Sequence, residues 1–424
     1  MNRATKVAIV LASLGIFSYA ALGYVLGRQD DEKTYRSLTV YSEVLTKVQQ
    51  EYVEEPNMAK VSSGALHGLL ESLPDSMSSY MSPQEYADYK KAVAAHPAGQ
   101  SGAVLSKRSG FIIVVSIQPG SPAEKAGLMP NDLVDAIAGF TTSEMSVEQA
   151  YQLLSGAPGS VVKLSVLPMA NRVRGLTDTQ QRNVTLAPIP ALHIAVTKIG
   201  TDTGYIRVPD LNPGKADELR AKLSDLDHDG IHKVILDVRG CAAGDDAEGI
   251  AAAKLFLSSG NITTLQGQTV VKQAFAADPQ KVVWKNPVVV LTSSMTSGPA
   301  EILAAAIGGN KRGEVVGERT FGTASQQKTI QLDDGSAVNI TIAYYYTPAG
   351  KGIPEDGVRP TVEMAASTDD PAAYSRAENP SLTPADPKND PVLAKALDLL
   401  SGANKVAERH VPSRRSRVMY PIVT

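Results

Sequence analysis

The spacing of apolar residues changes several times along the chain, and each change implies a different kind of element. Val7 to Gly27, "VAIVLASLGIFSYAALGYVLG", is an uncharged apolar run, long enough for the roughly 20 residues that a membrane-spanning helix needs. From Leu38 to Ala94 apolar residues recur at helical spacing, as in "YSEVLTKVQQEYV" and "VSSGALHGLLESL", the pattern of packed helices. Ser82 before Pro83 marks a further helix start, with a capping hydroxyl and a proline preset for the first position. From about Gly99 short apolar strands alternate with turns at Pro119-Gly120, Pro130-Asn131 and Pro158-Gly159, with helices expected from Ser121 and over "SVEQAYQLLSG". From Leu192 the order is strand "GYIRV", helix "GKADELRAKLSDL", buried strand "KVILDVRG", helix "DAEGIAAAKLFLS", buried strand "NPVVVLTSS" and helix "PAEILAAAI". Alternating strands and helices imply an α/β layer. Beyond Met364 a proline- and acid-rich stretch reads as a poorly ordered linker. It precedes a short amphipathic helix, "PVLAKALDLLSG", expected to close at Gly402, and a tail with Arg409, Arg414, Arg415 and Arg417.

The expected organisation is therefore a cytoplasmic N-terminus over residues 1–6, an anchor or signal segment over 7–27 and a helical region over 28–95. A small β-barrel with two helices over 96–190 and an α/β core over 191–366 follow, and then linker, helix and tail over 367–424. Arg3 and Lys6 precede the apolar run and Asp30, Asp31 and Glu32 follow it, which orients the N-terminus toward the cytoplasm. A cleaved signal peptide ending at Ala20 is the competing reading. The run continues to Leu26, so its length favours an uncleaved anchor. Both readings put the bulk outside the cytoplasm; the anchor reading makes this a single-pass inner-membrane protein with its bulk in the periplasm.

Composition removes several functional classes. The net charge of -3 over 424 residues gives no reason to expect nucleic-acid binding. The single cysteine, Cys241, excludes an intrachain disulfide and a cysteine-based zinc site, and the six histidines form no zinc-binding pair. "DLDHDG", Asp225 to Gly230, matches the start of a calcium loop, but Leu236 stands where the bidentate glutamate belongs; it reads as a polar turn. No metal and no cofactor are expected.

Residues 96–190 carry "GSPAEKAGL", then "ND" and "IAGF", and the segment resembles a PDZ domain. Such modules accept a peptide end as an added strand at an open sheet edge while successive loop N–H groups hold its carboxylate. By this resemblance the binding loop lies near "GQSGAVL", with Gly102, Ala103, Val104 and Leu105 as candidates. Of the helix stripe, Ala150 and Leu154 read as core, and Val147 and Tyr151 fit groove or core equally well.

The order of anchor, helical region, PDZ domain and α/β domain, with "VILDVRG", "AEILAAAI", "GEVVGERTFG" and "YYYTPAGKGIPEDGVRP", resembles the carboxyl-terminal processing peptidases over roughly Leu38 to Met364. The resemblance implies an extracytoplasmic serine peptidase with a core of ClpP/crotonase type. It also implies a serine-lysine dyad assisted by a glutamine, and a PDZ domain that handles substrate C-termini. A serine hydroxyl needs a base within reach, and a buried lysine can serve. The family's serine segment reads "SASASEI"; Glu301 and Ile302 fix the register, and Gly298 falls at the nucleophile. The family's "TFGKG" is here "TFGTA", so Thr323 replaces the lysine, while Gln327 keeps the glutamine position. The oxyanion region, "VRGCAAG", keeps Gly244 but has Ala243 and Cys241, and Pro299 opens the following helix. Cys241 has no histidine nearby in sequence and reads as inert packing.

A shifted pair, Ser297 with Lys328, is the alternative that would keep an active serine endopeptidase. The preferred reading is a catalytically silent relative that binds polypeptide C-termini or unfolded segments, with backbone donors at the start of the helix after Ser297 poised for an oxyanion. Membrane contact is expected through the N-terminal helix, and self-association into a homo-oligomer stays open.

Overall fold

The computed structural model describes residues 36–408, apart from Ser76, Ser109, Glu144, Glu355 and residues 365–385. The expected anchor, the linker over residues 365–385 and the basic tail lie outside the described residues. Among those described, no helix is long and apolar enough to cross a membrane. The described residues fall into two units, divided between Gly68 and Leu69. In the first, residues 36–51 are helical and a second helix, Met58–Glu71, begins.

The second unit holds two modules. In the first, a sheet runs in the order Ala103–Arg108, Phe111–Ile117, Leu133–Ile137, Val161–Leu167 and Gln180–Thr185, all antiparallel. Helices Pro122–Lys125 and Val147–Leu153 accompany it, each capped by a serine side chain, Ser121 and Ser146. Ile112, Val114, Ile137, Leu164 and Val184 fill its core. Ala103–Arg108 ends the sheet order and is an edge strand.

In the second module six strands run in the order Ala195–Ile199, Thr203–Arg207, Lys233–Asp237, Val288–Thr292, Glu314–Gly317 and Val362–Glu363. Only the first pairing is antiparallel. Lys233–Asp237 and Val288–Thr292 are buried at every position, as expected for parallel strands covered on both faces. Alternate residues serve the two faces. Val234, Leu236, Val288 and Val290 pack with helices Lys215–His228, Asp246–Lys254 and Pro299–Gly309. Ile235, Val289 and Leu291 pack against Val392, Leu393, Ala396 and Leu400. The "DLDHDG" stretch closes helix Lys215–His228 with Asp229 as C-cap and Gly230 in the left-handed region, a helix-to-strand turn.

Three features differ from the expected organisation. Ser79–Met81, in the supposed helical region, pairs with Ala337–Tyr346 in a second core sheet that also holds Asn261–Gln266, Gln273–Ala276 and Ser325–Gln331. The C-terminal helix runs Pro391–Glu408, straight through Gly402; a glycine inside a helix costs only about 1 kcal/mol against alanine, too little to end it. The same helix is part of the core, because Asp390 caps it through Leu393 N–H and also receives Arg239 Nη1 and Nη2 at 3.1 and 2.7 Å. Arg239 is shared with the fully buried Asp237, which Tyr205 also bonds.

That strap sets a stability expectation. Arg239→Ala leaves the Asp237 carboxylate buried without its cation and is expected to cost about 3–5 kcal/mol. Asp390→Ala leaves the Asp237–Arg239 pair intact and loses one cap and one partly exposed partner, an expected cost of about 1–3 kcal/mol. Denaturant unfolding of both variants checks the order; equal costs would show that the helix cap, not the buried pair, dominates.

Candidate active site and peptide groove

The strand Val288–Thr292 delivers its chain into the loop Ser293–Ser297, and the helix Pro299–Gly309 leaves it. The loop is closed from within: Thr296 Oγ1 donates to Val238 O at 2.9 Å and accepts from Ser293 N–H, and Ser297 N–H donates to Cys241 O at 3.0 Å. Gly298 is the helix N-cap with φ 57° and ψ -119°, a backbone state that glycine adopts without a Cβ penalty. Space is not the constraint, since a Cβ there would meet nothing nearer than Thr323 Oγ1 at 3.9 Å.

Two hydroxyls face each other where the chemistry is expected. Ser297 Oγ and Thr323 Oγ1 are 2.6 Å apart, and Thr323 Oγ1 also accepts from Gly298 N–H at 3.1 Å. A hydroxyl whose partner is another hydroxyl has no group to take its proton at neutral pH. The shifted pair is not assembled: Lys328 lies exposed on Ser325–Gln331, and the side chain that Ser297 meets is Thr323. Gln327 is turned into the sheet, where its amide donates to Ser325 Oγ at 3.0 Å and accepts from Thr341 Oγ1 at 3.0 Å.

Glu301, useful in the sequence only as a marker of register, is the centre of the site. Fully buried, its carboxyl accepts from Thr320 Oγ1, Gly322 N–H (2.7 Å), Thr323 N–H (2.8 Å) and Gly298 N–H (3.0 Å). Burial pushes its pKa up to about 7, against the opposing pull of those donors. No alternation rule reports such a role, because its partners come from a loop about twenty residues further along.

At the start of the helix the expected oxyanion donors are not offered. Gly298 N–H is held by Glu301 and Thr323, Pro299 has no N–H, Ala300 N–H donates to Ser297 O at 3.3 Å, and Glu301 N–H to Gly298 O at 3.0 Å. In the neighbouring loop Ala243 O accepts from Leu211 N–H at 2.8 Å and Asp245 N–H donates to Leu211 O at 2.9 Å, so Gly244 is bridged to Leu211 without use of its own N–H or that of Ala243. A Cβ on Gly244 would lie 2.2 Å from the Leu211 carbonyl, so glycine is required there by backbone approach. Cys241 is completely buried, with its thiol pushed far up by burial, which is inert packing.

The groove candidates separate into backbone and core. Ala103 and Leu105 bury their side chains in the first module, and Val147 does the same. Val147 is therefore core, because its position on the helix points it at Ala150's neighbours rather than outward. Gly102, with φ 76°, sits so close to Ser121 that an added Cβ would lie 2.3 Å from Ser121 Cβ. Tyr151 lies over the edge strand: Leu105 N–H donates to its hydroxyl at 2.8 Å, and the hydroxyl lies 3.3 Å from Leu105 O.

The two modules meet on the loops of the site. Arg108 Nη2 donates to Phe321 O at 3.0 Å with its guanidinium 4.3 Å from the Phe321 ring centroid, and Ser116 Oγ donates to Gly240 O at 2.7 Å. Ile113, Val115 and Phe321 pack together with Val104 and Ala242. A cavity of about 510 Å³ lies between Gly102–Val104, Tyr151 and Ala242–Ala243. A second, of about 220 Å³, adjoins Ser116, Arg207, Asp210, Arg239 and Gly240. Arg108 and Ser116 are not recognisable as contact residues from the sequence, since nothing local marks a surface that faces another module.

Comparison with known proteins places these modules. Peptidase family S41 matches residues 202–364, and the PDZ domain matches residues 113–168. The chain is 29% identical over 358 residues to the carboxy-terminal processing protease CtpA of Bacillus subtilis, covering 84% of this chain and 75% of the relative. It is 27% identical over 364 residues to a carboxyl-terminal-processing protease of Synechocystis, covering 85% and 82%. Among solved structures, a photosystem II D1 C-terminal processing protease superposes with a TM-score of 0.63 at 24% identity, over 82% of this chain and 98% of the other.

The buried carboxyl gives a pH expectation. A pKa near 7 in the folded protein, above the ordinary 4.5, means the native state binds the proton more tightly. Stability from this group is therefore full below about pH 4.5 and falls as pH rises toward 7. Glu301→Gln, although less stable overall, is expected to lose that slope. Thermal midpoints of both proteins from pH 4.5 to 8 check it, and an unchanged slope in the variant would assign the titration elsewhere.

Proposed function

From a chain that carries a PDZ domain and a peptidase family S41 domain, and that is related to carboxyl-terminal processing proteases of bacteria and chloroplasts, we infer that this protein binds polypeptide ends without cleaving them. The observation that carries the reading is the closed hydroxyl pair of Ser297 and Thr323, 2.6 Å apart, beside a glycine at the nucleophile position. Cleavage needs a proton acceptor for the attacking hydroxyl and donors for the oxyanion. Here the base position is Thr323, and the helix-start N–H groups are spent within the loop. What remains suited to function is the PDZ edge strand and the cavity that leads from it toward Ala242 and Ala243. The bulk lies outside the cytoplasm, held at the membrane by Val7 to Gly27; this part of the reading rests on that apolar run and its flanking charges.

The test incubates the purified full chain with an unfolded substrate and follows new termini by mass spectrometry. The expected result is no cleavage by the natural protein. Gly298→Ser with Thr323→Lys is expected to introduce slow turnover: a Cβ at 298 meets no clash, although the φ of 57° makes the variant strained and less stable. Adding Pro299→Ala, which supplies one more backbone N–H, is expected to raise the rate by about 10²-fold. Turnover by the natural chain that disappears in Ser297→Ala would contradict the reading.

A further inference from the structure

The edge strand Ala103–Arg108 is where an incoming peptide strand must pair, and the outward-facing groups on that strand can be identified. Leu105 lies opposite Val114, but Val114 spends its own N–H on Asp132 O and its carbonyl on Asn131 N–H, at 3.0 and 2.8 Å. Leu105 and Val114 are thus a pair without mutual hydrogen bonds, and the N–H and C=O of Leu105 face away from the sheet. In antiparallel pairing, such a residue exchanges both bonds with one residue of the added strand. In this structure the Tyr151 hydroxyl has taken both: it accepts from Leu105 N–H at 2.8 Å and faces Leu105 O at 3.3 Å as donor.

We propose that Tyr151 is a built-in competitor for the peptide groove, its phenol hydroxyl standing in for the peptide unit that a bound C-terminus would place opposite Leu105. The proposal rests on the reading that this groove takes peptide ends, and it names the residue that sets the threshold for entry. The surroundings fit a plug that leaves by side-chain rotation. Tyr151 as a whole residue is 40% exposed, which leaves solvent beside it, while its hydroxyl end is desolvated against the strand and its pKa is pushed up to about 12. Its helix, by contrast, is fixed: Glu148 accepts from Asn339 Nδ2 at 2.6 Å and Ser79 Oγ at 3.1 Å, both on the core sheet. The 510 Å³ cavity is lined by Tyr151 and reaches Gly102, where the left-handed turn brings the loop to the strand end. An entering apolar C-terminus would exchange the phenol for its own backbone and fill that space.

The experiment compares the full chain with Tyr151→Phe, which keeps the ring and deletes the hydroxyl, and with Tyr151→Ala, which removes both. Two readouts are taken: hydrogen exchange at the Leu105 amide without ligand, and binding of a fluorescein-labelled peptide ending in Ala-Val-Val with a free carboxylate, against its amidated form. The expected result is faster Leu105 exchange in both variants, peptide binding about three- to ten-fold tighter in Tyr151→Phe, and restored protection when the peptide is bound. Unchanged exchange in both variants would overturn the plug whatever the peptide does. Weaker binding by Tyr151→Phe, with faster exchange, would make the hydroxyl a ligand contact and overturn the proposal. Faster exchange with no peptide bound by any of the three proteins would overturn the peptide-groove reading itself, and the proposal with it.

Discussion

A single buried carboxyl group holds the site in its present form. Glu301 collects donors from the helix start and from the loop Thr320–Thr323, and Thr320 in turn accepts from Val358 N–H at 2.7 Å. Leaving such a group without partners in an apolar interior would cost several kcal/mol, so the helix start and the loop are held together. That constraint brings Thr323 against Ser297 and Gly298. It also consumes the N–H of Gly298. The same contacts that would align a nucleophile and a base in an active peptidase here align two hydroxyls and a glycine.

The second constraint is the seam between the PDZ domain and the peptidase-like core. Arg108 and Ser116 reach Phe321 and Gly240, Glu148 reaches Asn339, and Arg239 carries the load on to Asp390 at the start of the C-terminal helix. Each tether ends on a loop or strand that borders the site. These contacts join the two modules beside Gly240, Ala242 and Phe321.

How much of this was legible in the sequence follows from how local each feature is. The buried strands Lys233–Asp237 and Val288–Thr292, the Gly298–Pro299 helix start, the serine cap at Ser82 and the short helix from Ser121 rest on spacing and on neighbouring residue types, and they appear where the pattern puts them. The family resemblance placed Gly298 and Thr323 together, and the structure brings them into contact through Thr323 Oγ1. What the sequence did not disclose is long-range. Ser79–Met81 joins a strand far along the chain, Val147 turns inward where Tyr151 turns outward, and Asp390 caps one helix while pairing with the arginine that follows another strand. Helical spacing cannot choose a face when both faces have something to pack against, and it missed the extension of the C-terminal helix through Gly402 because glycine's penalty is smaller than the packing that precedes it. The helix start differs from expectation for a related reason: a helix N-terminus is an anion site only if its N–H groups are free, and here Glu301 and Thr323 hold that of Gly298, backbone carbonyls hold those of Ala300 and Glu301, and Pro299 has none.

The central claim is that neither hydroxyl of the Ser297–Thr323 pair is activated, and the most direct measurement is covalent labelling. The full chain is treated at neutral pH with a fluorophosphonate, which reacts with activated serines, and analysed by intact-mass and peptide mass spectrometry. The account predicts no adduct on Ser297 or Thr323, because neither hydroxyl has a proton acceptor stronger than the other. A stoichiometric adduct on Ser297 that is lost in Ser297→Ala would contradict it.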